Sequence, residues 1–261
     1  MSKFFFDMLI DTHSHIYSED FSDDIEEVLQ NAYNNDVKKI VLPNIDSGTI
    51  KRLLDLSSSY PHVCYPLMGL HPTSVSGDYK EEIAVVEYWL DKYKFHGIGE
   101  IGIDLYWDRT YIEEQKEAFR YQIKLAKSRN LPIVIHVRES FNEVYQIVKE
   151  EQDGYLKGIF HCFSGDITEA QKISDLGFLL GIGGVVTYKN SNLGQVLQNV
   201  DVNQLVLETD APYLAPDPKR GRRNESAYLV YVAQKLSEIY QLPFKEIAEI
   251  TTANARKLFG I

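Results

Sequence analysis

His13 and His15 stand one residue apart where an apolar entry, Leu9-Ile10, runs into Asp11-Thr12-His13-Ser14-His15. In a β-strand alternate side chains share a face, so the two imidazoles can point the same way and grip one ion. Taken alone, the pair reads first as a strand end whose rings merely satisfy hydrogen bonds. The metal reading needs further ligands, and later apolar runs end on them: His71, Glu100, His136, His161, and Glu208 with Asp210. Five of the seven histidines (His13, His15, His71, His136 and His161) therefore fall at predicted strand ends. Imidazoles mixed with carboxylates, without cysteine, suit zinc, manganese or, with more waters, magnesium. One ion closes with about four ligands and more are on offer here, so two ions about 3.5–4 Å apart fit the set. Such a pair needs a bridging carboxylate, and Glu100 lies between the two groups in strand order.

The elements that must position these residues repeat along the whole chain. Buried strands are expected after the first at 37–42, 63–70, 97–101, 132–137, 158–163, 178–182 and 204–208. Helical spacing of apolar residues alternates with them at 21–35 (Ser22 as N-cap), 48–58, 79–93, 112–129, 141–150, 167–176 and 193–199. Runs such as Ile133-Val134-Ile135 and Leu205-Val206-Leu207 are apolar throughout, as parallel strands covered on both faces require. The pattern predicts a single α/β domain over residues 1–261, a (β/α)8 TIM barrel with C-terminal helices at 227–240 and 244–259. A doubly wound open sheet is the structural rival. In a barrel the ligand list falls on the C-terminal rim of the strands, where barrel enzymes keep their chemistry.

Composition bounds the function. With 44% hydrophobic and 25% charged residues the chain is ordinary globular protein, and a formal charge of −11 argues against coating long nucleic acid by charge alone. It leaves room for an enzyme that draws a strand end into a metal site, because bound cations reverse the local sign. Cys64 and Cys162 sit in apolar runs and read as reduced, packed thiols. The apolar opening is cut by Asp7 before a signal-peptide core forms, and no apolar run is long enough to cross a membrane. The expectation is a soluble, cytoplasmic protein without an obligate protein partner.

In order along nearly the whole chain, the motifs resemble those of the TatD-type metal-dependent deoxyribonucleases of the amidohydrolase superfamily. They are Asp11-Thr12-His13-Ser14-His15, Gly69-Leu70-His71-Pro72, Gly99-Glu100-Ile101-Gly102-Ile103-Asp104, Ile135-His136-Val137-Arg138, His161-Cys162-Phe163-Ser164-Gly165 and Glu208-Thr209-Asp210-Ala211-Pro212. Arg220-Gly221-Arg222-Arg223-Asn224-Glu225 and Asn254-Ala255-Arg256-Lys257-Leu258-Phe259 follow. The resemblance implies a hydrolase of DNA phosphodiester bonds, an exonuclease taking strand ends or single strands. It implies one metal held by His13, His15, Glu100 and Asp210 and another by Glu100, His136 and His161, with Asp210 as general base. His71 and Arg138 would meet the substrate phosphate, with Arg222 and Arg223 as weaker candidates. Leu105, Val137 and Ser226 depart from the pattern; they fall near the substrate rim and leave the ligands untouched. The rival activity is an amidohydrolase or deacylase using the same two metals on a small amide or ester. A metal-stabilised scaffold without turnover is the third possibility.

Around the ligands several residues carry two readings. Asp11 either orients a ligand or satisfies backbone, Glu208 is expected to face the barrel interior and either supports the site or orients a water there or is purely structural, and Asp104 is expected in a loop that it fixes through backbone amides. Tyr106 and Trp107 are either base-stacking rings or packing anchors. The basic run after Pro218 either meets phosphates or is neutralised by acids. His62 and His96 fall at strand starts and take no role.

Overall fold

The computed structural model describes residues 8–261; the apolar opening at 1–7 lies outside them. The eight strands are β1 (Leu9–Asp11), β2 (Val37–Leu42), β3 (Cys64–Pro66), β4 (Ile98–Asp104), β5 (Ile133–Arg138), β6 (Gly158–Phe160), β7 (Leu179–Ile182) and β8 (Leu205–Leu207). All pair in parallel, in two ladders ordered β1-β2-β3 and β4-β5-β6-β7-β8. Single parallel bridges join the ladders at both edges, Met68 to Ile98 and Ser14 to Ala211, and Thr12 N–H donates to the Leu207 carbonyl at 2.9 Å. The fold is the expected (β/α)8 barrel.

A helix follows each strand: α1 (Ile25–Asn34), α2 (Ile50–Ser59), α3 (Tyr79–Lys92), α4 (Ile112–Arg129), α5 (Phe141–Glu151), α6 (Ile167–Asp175), α7 (Leu193–Leu197) and α8 (Leu229–Tyr240), with α9 (Phe244–Phe259) last. Alternation along the strands sorts the core into two layers. Ile133 and Ile135 of β5 pack with the large outer cluster, whereas Val134 joins Ile10, Val41, Leu67, Ile159 and Val206 inside the barrel. Ala255, Leu258 and Phe259 of α9 pack against that inner cluster, and His96 at the start of β4 faces the Phe259 carbonyl. The last helix therefore plugs the N-terminal end and leaves the other end for chemistry. Among the described residues no helix is long and apolar enough to cross a membrane.

Several boundaries differ from the sequence expectation. Ser22 is not the cap of α1, because 19–21 form a separate 3-10 turn that buries Phe21, and the helix begins after Asp24. The apolar runs at 63–70 and 158–163 are regular strand only over Cys64–Pro66 and Gly158–Phe160; beyond them pairing thins to isolated contacts, Met68 bridging to Ile98 and His161 N–H donating to the Ile135 carbonyl at 3.1 Å. Strand β4 runs three residues past its expected end, which takes Asp104 out of the loop and into the sheet.

Candidate active site

The first strand ends at Asp11, so His13 and His15 lie beyond it. Their backbone stays in register because Ser14 N–H donates to the Val41 carbonyl (3.1 Å) and His15 N–H to that of Ala211 (2.7 Å). Both rings consequently turn inward, with Nε2 atoms 3.2 Å apart. Glu100, from β4, is buried at the centre. Its Oε2 lies 3.1 Å from His13 Nε2 and 3.5 Å from His15 Nε2; its Oε1 lies 2.7 Å from both His136 Nδ1 and His161 Nε2, and 3.3 Å from His71 Nε2. Asp210 Oδ1 stands 3.6 Å and 3.7 Å from the Nε2 atoms of His13 and His15. All five rim histidines thus converge on one carboxylate.

The hydrogen-bond partners of these rings decide which nitrogens offer lone pairs. Tyr17 donates its hydroxyl to the Pro43 carbonyl at 2.6 Å, so at 3.1 Å from His15 Nδ1 it accepts; the His15 proton sits on Nδ1 and Nε2 faces the cluster bare. His136 Nε2 lies 2.9 Å from Asp104 Oδ2, which requires a proton there and turns Nδ1 toward Glu100 as the ligand atom. His71 is the reverse case. Its Nδ1 accepts the Thr73 N–H at 3.1 Å, so a neutral ring carries its proton on Nε2 and points a donor at the cluster. Bare nitrogens interleaved with carboxylate oxygens, gathered in groups whose ligand atoms lie within 4.8 Å of one another, fit divalent metal ions.

The electrostatics follow from burial against charge. Burial drives the His13 pKa well below the ordinary value, reinforced by His161, and favours the neutral, ligating form. Glu100 is pushed up by burial, but His161, His71 and His13 outweigh this and hold it well below the usual carboxylate range. Asp210 is pushed up to about 6 by burial, against the pull of His161 and His15.

Supporting groups complete the rim. Glu208 is buried, accepts Cys162 N–H at 2.5 Å and lies 3.6 Å from His161 Nδ1. Gly181 makes room for it, since a Cβ there would meet Glu208 Oε2 at 2.1 Å. Glu139, Cys162 and Asp210, each just past a strand end, hold left-handed backbone (φ 53°, 49° and 56°), a conformation that re-aims the chain at the rim. Asp11 accepts from Thr209 N–H (2.9 Å), Thr209 Oγ1 (2.6 Å), Ser226 Oγ (2.7 Å) and, at 3.4 Å, the His13 N–H. Its carboxyl is pushed up to about 7 by burial, and it ties β1 to the segment after β8. Arg223 is not free for a phosphate: it forks onto Asp24, while Arg222 remains exposed. Arg138 has no carboxylate partner among the described residues and stacks on Tyr106 and Trp107. Sequence reasoning missed Tyr17 and misplaced Asp104. Strand alternation was the available signal, since Tyr17 is two residues past His15 and Asp104 four past Glu100.

Residues 10–260 match the family described as TatD related DNase. The chain belongs to the TatD family. Among TatD-family relatives, the uncharacterized metal-dependent hydrolase YabD of Bacillus subtilis is 40% identical over 255 residues, covering 97% of this chain and 100% of that protein. The uncharacterized metal-dependent hydrolase YcfH of Escherichia coli is 30% identical over 97% of this chain and 96% of its own length. The crystal structure of YjjV, a TatD homologue of Escherichia coli, superposes with a TM-score of 0.90 at 31% identity, covering 97% of this chain and 98% of that one. This TatD-family chain is a metal-dependent hydrolase with histidine and carboxylate clusters able to bind metal.

Proposed function

We propose that this TatD-family hydrolase cleaves phosphodiester bonds in DNA, acting from strand ends or on single strands, with two divalent ions held across Glu100. The observation that carries the reading is the division of that carboxylate, with Oε2 facing His13 and His15 and Oε1 facing His136 and His161. His13, His15, Glu100 and Asp210 would hold one ion; Glu100, His136 and His161 would hold the other. Zinc, manganese or magnesium bound there supplies charge neutralisation and a water acidic enough to ionise near neutral pH.

The chain's own groups do the rest. Asp210 takes the proton of the attacking water on its carboxylate as general base. His71 points an Nε2 proton at the site and meets a phosphate oxygen, and Arg138 offers its unpaired guanidinium to the same group. Glu208 positions His161 from behind. Arg138 and the family's description as related to DNase favour a phosphodiester over an amide. Every proposed ligand comes from one chain, so no protein partner is needed, and we assign the activity to the cytoplasm.

The test is incubation of the metal-loaded protein with end-labelled single-stranded DNA beside a panel of amides and esters. Nucleotide release is expected, reduced about 10²–10⁴-fold by Asp210→Asn. Turnover of an amide or ester without nucleotide release would establish the amidohydrolase or deacylase reading instead.

A further inference from the structure

Trp107 and Tyr106 lie between β4 and α4, and neither is buried as a packing anchor would be: Trp107 is 70% exposed and Tyr106 50%. Their rings meet edge to face, and the Arg138 guanidinium lies 3.8 Å from the Tyr106 centroid and 5.2 Å from that of Trp107. Aromatic surface left in water forgoes the free energy of burial, so its retention at an active-site rim points to a ligand that covers it.

The position of the rings is set by the site. Asp104 divides its carboxylate, with Oδ2 facing His136 Nε2 and Oδ1 accepting the Tyr106 N–H, both at 2.9 Å. Leu105 N–H donates to the Arg138 carbonyl, also at 2.9 Å. A single side chain thus ties the aromatic pair to a histidine of the cluster. Arg138 follows two residues after that histidine on β5 and has no carboxylate partner among the described residues. Flat rings beside an unpaired guanidinium match a nucleobase joined to a phosphate: the base stacks and the phosphate pairs.

We propose that Trp107, flanked by Tyr106 and Arg138, is a stacking platform for an unpaired DNA base next to the scissile phosphodiester. The inference rests on the phosphodiester reading above. Bases in a duplex already have both faces covered, so the platform selects single strands and frayed ends. Every base has a π-face, so it imposes little sequence preference.

The chain has two tryptophans, so Trp89→Phe leaves Trp107 as the sole reporter. In that background, with Asp210→Asn to suppress turnover, the metal-loaded protein is titrated with a short single-stranded oligonucleotide and with an abasic oligomer of equal length and charge. Quenching of Trp107 fluorescence by the first and not the second is expected. In otherwise unaltered protein, Trp107→Ala should raise KM for nucleotide release about 10- to 100-fold, with a smaller effect on kcat, and Trp107→Phe should restore most of the loss. Equal quenching by both oligomers, or none, together with an unchanged KM in Trp107→Ala overturns the platform. The fluorescence needs no turnover, so the two proposals fail separately. Quenching without nucleotide release from unaltered protein supports the platform and overturns the phosphodiester reading; release with Trp107 unquenched and KM unchanged does the reverse. Coincident melting curves show that the variants fold.

Discussion

At the residue scale the site depends on which nitrogen of each ring is left bare, and the groups that decide this are not themselves ligands. Asp104 holds the proton of His136 on Nε2 and makes Nδ1 the stronger donor to a cation. Asp104→Asn keeps the shape but removes the charge, and metal affinity is expected to fall about 10–100-fold by titration calorimetry. Affinity equal to that of the unaltered protein would show that His136 needs no such support. Gly181→Ala places a methyl on the Glu208 carboxylate, 2.1 Å from Oε2, and should cost about 1–3 kcal/mol in denaturant unfolding. The residues proposed as ligands were legible because each ends an apolar run, and packing alone gives no reason for a polar residue to be there. Asp104 and Tyr17 were not, because a strand was read as stopping where its hydrophobicity stops. Along β4 the interior face in fact continues Glu100, Gly102, Asp104. Gly102 hides that face: it lacks a side chain because a Cβ there would sit 2.1 Å from the His136 carbonyl.

At the element scale the segment between β8 and α8 carries Asp210 and has little regular structure to hold it. Side chains fasten it instead. Asn224 Nδ2 donates to the carbonyls of Thr209 and Tyr213 at 2.7 Å, Ser226 reaches Asp11, and Arg223 forks onto Asp24 at the head of α1. The Ser226 hydroxyl is donated to the buried Asp11 carboxyl. The Arg223 hydrogen bonds hold the Asp24 carboxyl below its ordinary value. A depressed folded-state pKa stabilises the protein above the unfolded value, about 3.9, and the contribution disappears as pH falls through the folded value. The pair is partly exposed, so Arg223→Ala should cost about 1 kcal/mol or less at pH 7, and its unfolding curve should merge with that of the unaltered protein only once the pH has fallen below the depressed folded-state value of Asp24. A deficit that persists at low pH would mean that packing of Arg223 on Phe21, not the charge pair, is what matters. The number and order of the helices were legible from periodicity. The shortened β3 and β6 were not, because most residues past Pro66 and Phe160 stay buried while their pairing thins to isolated bridges and hydrogen bonds, and hydrophobic pattern reports burial rather than regular pairing.

At the scale of the whole molecule, a barrel plugged at one end by α9 gathers five histidines and several carboxylates at the other, in a chain of net charge −11. Buried nitrogens and carboxylates at such spacing can hold a cation, so metal binding should be coupled to global stability. A metal at 100 times its dissociation constant adds about 2.7 kcal/mol, and chelation should lower Tm by several degrees in a scanning calorimeter. An unchanged Tm would show that the cluster is stable without metal. Of the whole-molecule properties, the barrel was legible from eight repeats and the rim from its proposed ligands, whereas the contact of Trp107, in the segment after β4, with Arg138, the last residue of β5, is one that spacing does not encode. The proposal turns on Glu100, which would hold two ions, its Oε2 shared with His13 and His15 and its Oε1 with His136 and His161. An anomalous difference map from a crystal soaked in manganese tests it most directly. The expected result is two peaks about 3.5–4 Å apart, with both His13 and His15 on the peak nearest Asp210. A single peak, or either of those rings turned away from it, would contradict the claim.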